Sequence, residues 1–266
     1  MQHRTLSFKS SPIHYYVFGN GDKTLFCLHG YGEDGTSFSF LEKFLGDEYT
    51  LIAIDFPFHG ATEWNEKIPL MPAELFEIFE RINTNQNKKF SVLAYSMGGR
   101  IALYLLQKDP ERFEHVVLVA PDGLHINFWY WLSTQTSAGN KLFKHLMKQP
   151  RLFFSFLNAA NKINLLNTSI VKFVHHFLDD ETERTLLYKR WTVMRAFKPD
   201  LSVIKKICDE HNIHLHLLFG RFDKIILSKR AGDLKKSKNI RIEIIEAGHQ
   251  MLKEKYAHYI APLLKN

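Results

Sequence analysis

Three residues of types that together can transfer an acyl group stand far apart in the chain, each just beyond an apolar run: Ser96, Asp223 and His249. A serine hydroxyl is a poor nucleophile at neutral pH, so it needs a base within hydrogen-bond reach, and that base needs a carboxylate to fix its ring. In this reading Ser96 attacks, His249 carries the proton and Asp223 holds the imidazole. The stretch Phe90-Ser91-Val92-Leu93-Ala94-Tyr95-Ser96-Met97-Gly98-Gly99-Arg100 predicts a strand, a sharp turn with Ser96 at its apex, and a helix from Met97 to about Gln107. Ala94 and Gly98 are small where strand and helix must pass closely, and the Met97 amide at the helix start is aimed at the same spot as the hydroxyl. A developing oxyanion needs a second donor. The expected one is the Tyr31 amide in His29-Gly30-Tyr31-Gly32, where glycines let backbone approach closely.

Each group has rivals. Asp122 follows the strand after the Ser96 helix and competes with Asp223, although Pro121-Asp122-Gly123 also reads as a plain turn. His29 and His59 lie at strand ends ahead of glycines and are expected to fix backbone there. His175 and His176 are expected to be solvated.

For distant groups to meet, the runs that precede them must lie side by side in one sheet with their carboxyl ends together. Residues 1–18 read as two antiparallel strands. The runs at 24–28, 50–55, 90–95, 115–120, 213–219 and 240–245 read as strands, the earlier ones continuously apolar, as strands buried on both faces of a parallel sheet are. Helices are expected at 36–45, from Pro72, at 97–107, 201–211 and 228–236, and at the end of the chain. Such alternation is the signature of a parallel sheet with helices on both faces. It stops between 124 and 199, where the text is helical and aromatic. Segments 1–123 and 200–266 are therefore expected to form a core, and 124–199 an inserted helical cap.

With 266 residues and 45% hydrophobic content, the chain supports one sizeable domain with such an insertion. No apolar run approaches bilayer length and the first residues lack a signal-peptide core, so a cytoplasmic protein without stable membrane insertion is expected. Cys27 and Cys208 are expected as free thiols. No phosphate loop, dinucleotide fingerprint or metal-ligand cluster is present, so neither cofactor nor metal is expected. The net charge of +7 is concentrated: residues 124–200 hold 11 Lys/Arg against 5 Asp/Glu. The body is nearly neutral and lacks a recognisable module, which excludes a nucleic-acid partner. From Gly123 to Leu178 there is no acidic residue, while Lys141, Lys144, Lys148, Arg151, Lys162 and Lys172 intersperse with aromatics. Such a cap would attract an anionic or lipid-like acyl substrate or graze an anionic membrane, or else its aromatics pack inward and its lysines stay in water. Phe128, Trp129 and Trp131 are candidates to line a substrate pocket together with Gly30 and Tyr95.

Taken together, Leu28-His29-Gly30-Tyr31-Gly32, Asp55-Phe56-Pro57-Phe58-His59-Gly60, the Ser96 turn, Gly220-Arg221-Phe222-Asp223 and Gly248-His249 resemble the cap-bearing α/β-hydrolase superfamily over essentially the whole chain. Ala94 and Phe58 depart from glycines usual in that pattern. The resemblance implies the α/β-hydrolase fold and a serine hydrolase that cleaves a carboxylic ester or related small acyl substrate without a cofactor. A nearer resemblance is to carboxylesterases of the pimeloyl-carrier methyl esterase type. Ser96-Met97-Gly98-Gly99-Arg100 is also similar to the menaquinone-pathway lyase succinyl-hydroxycyclohexadiene carboxylate synthase, which implies an alternative in which Arg100 helps hold an anionic substrate. Haloalkane dehalogenases and many epoxide hydrolases share the fold but place aspartate where this chain has Ser96. A non-enzymatic ligand receptor that keeps the pocket is the reading from another class, and whether Ser96 reacts separates the two.

Overall fold

The computed structural model describes residues 1–83, 89–163, 178 and 180–265. The chain forms two compact units, one of residues 1–125 with 196–266 and the other of residues 126–195.

The first unit is built on a sheet of β1 (Gln2–Phe8), β2 (Ser11–Phe18), β3 (Lys23–Leu28), β4 (Tyr49–Ile54), β5 (Phe90–Tyr95), β6 (Phe113–Val119), β7 (His214–Gly220) and β8 (Ile240–Ile245), in the order β1-β2-β4-β3-β5-β6-β7-β8. β1 and β2 pair antiparallel, and β2 joins β4 antiparallel. All later pairings are parallel. The continuous apolar runs occupy the middle of the sheet, where β5 is buried at every position. β8 lies at the edge and is less buried, with Arg241 Nε paired to the Glu243 carboxylate at 2.8 Å.

Register decides where the loops emerge. Tyr95 pairs with Val119, Val119 with Leu218, and Gly220 with Ile245, so the loops after β5, β6, β7 and β8 leave from one edge.

Several expected helices form as α-helices. α2 (Pro72–Ile82) buries Leu75, Ile78, Phe79 and Ile82, one stripe at helical spacing, and the Glu74 carboxylate accepts from the Met71 amide at its start. α3 (Met97–Lys108) is buried along most of its length. Others differ from expectation. The 36–45 helix begins as a 3₁₀ segment (Gly35–Leu41), with Asp34 accepting from the Thr36 amide, before the single turn α1 (Glu42–Leu45). The 228–236 segment is 3₁₀ throughout and is broken at Gly232, whose φ of 39° no helix permits. The C-terminal helix is a chain of short pieces, its last turn carrying Pro262, which cannot donate within an α-helix.

The second unit contains α4 (Phe128–Gln135), α5 (Ser137–Lys148), α6 (Pro150–Lys162) and α7 (Glu181–Val193). Asn127, Thr136 and Asp180 cap α4, α5 and α7 by accepting from the Tyr130, Gly139 and Glu183 amides. Trp191 packs against Tyr130 and Phe143, and the buried Arg184 donates to the carbonyls of Met147 and Leu178. Lys172, His175 and His176 lie outside the described residues. Among those described, no helix is long and apolar enough to cross a membrane. α8 (Leu201–Glu210) returns the chain to the first unit, capped by Asp200.

Candidate active site

The turn after β5 holds Ser96 at φ 48°, ψ −113°, a conformation disfavoured for any residue with a β-carbon. Its neighbours over-determine it. The Ser96 amide donates to the Val119 carbonyl, and the Ser96 carbonyl accepts from the Gly99 and Asp122 amides, all within 3.0 Å. A β-carbon at position 98 would stand 2.0 Å from the Leu28 carbonyl oxygen, so only glycine lets α3 pass the end of β3. The Gly98 amide then donates to the His29 carbonyl and ties the two loops together.

Asp223 and His249 come from the loops after β7 and β8. Asp223 Oδ1 accepts from the amides of Ile225 and Ile226 at 2.7 and 2.9 Å, which leaves Oδ2 to face His249 Nδ1 at 2.8 Å. Burial alone would raise this carboxyl, but the His249 bond and the two amides outweigh burial and hold it below the usual carboxylate range. An ionised Asp223 accepts only, so Nδ1 carries the ring proton and Nε2 is left as the acceptor. Ser96 Oγ lies 3.1 Å from that Nε2 and donates to it. The three groups thus form one unbroken line from hydroxyl to carboxylate.

The rivals are engaged elsewhere. Asp122 accepts from the Gly123 amide at 2.7 Å and pairs with Arg100 at 3.4 Å. Arg100 is buried in that pairing. His29 Nε2 accepts from the Phe56 amide, which fixes Nδ1 as donor to the Gly30 carbonyl. His59 Nδ1 meets the Pro57 carbonyl in its own loop.

Met97 opens α3 and is buried, whereas Tyr31 is exposed with its ring edge-on to His59. Gly30 lies against the ring of Tyr95, where a β-carbon would come within 2.9 Å. Tyr95 itself is buried, and its hydroxyl donates to the His249 carbonyl at 3.1 Å. The last residue of an inner strand has a neighbour on each side, which closes it off from solvent. Phe128, Trp129 and Trp131 belong to the second unit, where they are 61%, 39% and 45% exposed and cluster with one another, Trp129 also meeting Phe156.

Two residues of this edge escaped the sequence reading. Asp55 is buried, with Oδ1 accepting from the Gly35 amide and Oδ2 from the Ala61 amide, so it ties the loops after β3 and β4. Burial raises its carboxyl and those amides oppose the shift. Its place ahead of Phe56-Pro57-Phe58-His59-Gly60 was the available signal. Phe58 stands at φ 65° where the usual pattern has glycine, so the turn keeps its shape with a strained residue. Glu33 is the second: its Oε2 is buried beside Gly30 without a hydrogen-bond partner, and the sequence carried no signal for it. Both cysteines are buried and free, with burial pushing the Cys208 thiol up to about 12. Among the described residues no group of three or more His, Cys, Asp or Glu could hold a metal ion.

Comparison with known proteins identifies the family of the chain. The family described as alpha/beta hydrolase fold matches residues 23–224. Over 104 residues the chain is 35% identical to a Bacillus subtilis protein bearing the name 2-succinyl-6-hydroxy-2,4-cyclohexadiene-1-carboxylate synthase, covering 37% of this chain and 36% of that one. Over 123 residues it is 31% identical to the pimeloyl-(acyl-carrier protein) methyl ester esterase of Nitrosomonas europaea, covering 46% of each. These matches span less than half the length of either relative. A thermophilic esterase from Thermogutta terrifontis superposes with a TM-score of 0.68 over 100% of this chain and 98% of that one; at 15% identity this likeness shows the fold alone.

Proposed function

Because the chain belongs to the alpha/beta hydrolase fold family, we propose that it is a serine hydrolase that cleaves a small carboxylic ester or related acyl compound through an acyl-enzyme. The observation that carries the proposal is the line Ser96 Oγ, His249 Nε2, His249 Nδ1, Asp223 Oδ2, with links of 3.1 and 2.8 Å. In this reading Ser96 Oγ attacks the carbonyl carbon as its proton passes to His249 Nε2. The imidazolium forms against the ionised Asp223. The amides of Tyr31 and Met97 receive the developing oxyanion, and removing one such donor typically costs about 10²- to 10³-fold in rate. Collapse expels the alcohol, which takes the proton from His249. Water then attacks the acyl-enzyme with the same base and frees the acid and Ser96.

In this proposal Phe128, Trp129 and Trp131 of the expected 124–199 cap supply apolar contacts to the substrate, and the lysines of that segment favour an anionic or lipid-like acyl chain. A lyase working through the same three groups draws on the Bacillus subtilis relative. It would want Arg100 for an anionic substrate, and the burial of that guanidinium against Asp122 speaks for the esterase.

Intact mass after treatment with a small fluorophosphonate tests the proposal. A single adduct on wild type, absent from Ser96→Ala, is expected, together with turnover on a panel of esters of graded chain length. A folded wild type that takes no adduct overturns the proposal in favour of a non-catalytic receptor.

A further inference from the structure

The loops after β5 and β6 each turn on a residue in the left-handed region, Ser96 at φ 48° and Ala120 at φ 43°. A residue with a β-carbon disfavours that conformation, so each needs its surroundings to hold it. The two turns hold one another. The Ser96 amide donates to the Val119 carbonyl, and the Asp122 amide returns a bond to the Ser96 carbonyl at 2.8 Å. The backbones run so close that side chains are excluded between them. A β-carbon on Gly99 would stand 2.5 Å from Pro121, and one on Gly123, itself at φ 94°, would stand 2.9 Å from Arg100. Across this seam lies the Arg100–Asp122 ion pair at 3.4 Å, the other carboxylate oxygen accepting from the Gly123 amide at 2.7 Å. Arg100 goes against two local preferences. It is the fourth residue of α3, where the positive end of the helix dipole disfavours a cation, and it is buried in a run that continues with the apolar Ile101, Ala102 and Leu103. An apolar side chain there would suit both helix and core. What an apolar residue could not do is hold the carboxylate of the residue whose amide holds Ser96.

Resting on the serine hydrolase reading above, we propose that Arg100 and Asp122 are positioning residues for Ser96. Their ion pair clamps the loop after β6 to the first turn of α3, so that the Asp122 amide keeps Ser96 in its strained turn with Oγ aimed at His249 Nε2. The chain of contacts is short: Arg100 to the Asp122 carboxylate, the Asp122 amide to the Ser96 carbonyl, and Ser96 Oγ to His249 at 3.1 Å. With the pair broken, the loop loses this tie to α3, the turn gains freedom, and fewer molecules hold Oγ within reach of the base. Position counts steeply here, since a displacement of about 1 Å can cost roughly 10²-fold in rate. The His249–Asp223 bond is left as it is, so protonation of His249 is unchanged while attack by Ser96 slows. A substrate-holding arginine behaves differently. It would change the binding of anionic substrates and leave attack on neutral ones alone.

The test reads Ser96 without needing the natural substrate. A neutral fluorophosphonate reacts when Ser96 Oγ bonds to phosphorus, its proton moves to His249 Nε2 and fluoride leaves. Labelling rates across the pH range, kcat and KM for one neutral and one anionic ester, melting temperature and circular dichroism are measured on wild type, Arg100→Lys, Arg100→Met, Asp122→Asn and the Arg100→Met/Asp122→Asn double variant. Arg100→Met is expected to label about tenfold more slowly, with kcat falling in step, KM for both esters unchanged and the midpoint of the pH profile unmoved. Arg100→Lys is expected to recover part of the rate. The double variant is expected to label at the rate of Arg100→Met, because a clamp already broken is not broken further. Asp122→Asn is expected to match them, and if the unpaired buried guanidinium keeps it from folding, Arg100→Met and the double variant carry the comparison. Labelling at the wild-type rate by folded Arg100→Met overturns the inference, as does a double variant much slower than Arg100→Met. A rise in KM for the anionic ester alone overturns it in favour of a substrate-binding arginine. A wild type that takes no label overturns the hydrolase reading instead.

Discussion

The two units of this chain use aromatic and apolar residues in opposite ways. In the first, Phe26 is fully buried and stacks on Phe79 with ring centres 4.2 Å apart, and the strands around it are closed on both faces. In the second, Phe128, Trp129, Trp131, Leu152 and Phe156 are exposed on α4 and α6, beside Lys141, Lys144, Lys148 and Arg151. Apolar surface inside the first unit stabilises the fold, and it holds the loops that carry Ser96, Asp223 and His249. Apolar surface on the second unit is exposed, where it contributes little to folding. Groups that must be placed to within fractions of an ångström belong on the first kind of scaffold, and groups that select by size and greasiness can sit on the second.

Substitutions that act on the chemistry, on the core and on the exposed aromatics sharpen this contrast in descending order. Asp223→Asn should lower kcat by about 10⁴ while the circular-dichroism spectrum of the fold is kept, because the wrong imidazole tautomer is then favoured; a near-normal kcat would return the role to Asp122. Phe26→Ala should destabilise the protein by about 3 to 5 kcal/mol, read as a drop in denaturant midpoint. Trp129→Ala should stay within about 0.5 kcal/mol of wild type in the same measurement while raising KM for long-chain esters more than for acetate esters. An equal loss of stability at positions 26 and 129 would erase the distinction between the units. Smallest is the effect of salt: KM for an anionic ester should rise modestly as ionic strength increases if the lysines of α5 steer substrate, and should stay flat if they are only solvated.

Part of the pH dependence of stability comes from the first unit. The Asp223 carboxyl is lower in the folded state than in the unfolded chain, so its contribution is complete above the ordinary carboxylate range and fades as pH falls through the depressed value. Denaturant midpoints of wild type and Asp223→Asn should therefore differ at pH 7 and converge in strong acid.

Much of this edge was legible in the chain because it rests on local patterns. The run Phe90–Tyr95 before a serine and two glycines forms the expected strand, turn and helix. The misreadings have physical causes. The 228–236 segment lacks the apolar stripe that holds an α-helix against a sheet and it contains Gly232, so it collapses to 3₁₀ turns. Glu33 was invisible because nothing local distinguishes a carboxylate in water from one folded over a glycine.

The order Ser96, Asp223, His249, the strand before each, and the need for glycine at position 98 were determined by sequence alone, since each rests on local hydrophobicity and backbone sterics. Which carboxylate meets His249 was decided by tertiary structure. Asp122 and Asp223 both follow strands that end at the same edge, and both are flanked by turn residues. Arg100 from α3 takes the first, while the amides of Ile225 and Ile226 aim the second at an imidazole 26 residues further on. Such a choice depends on bonds that exist only once the sheet has closed in register, and no local propensity encodes them.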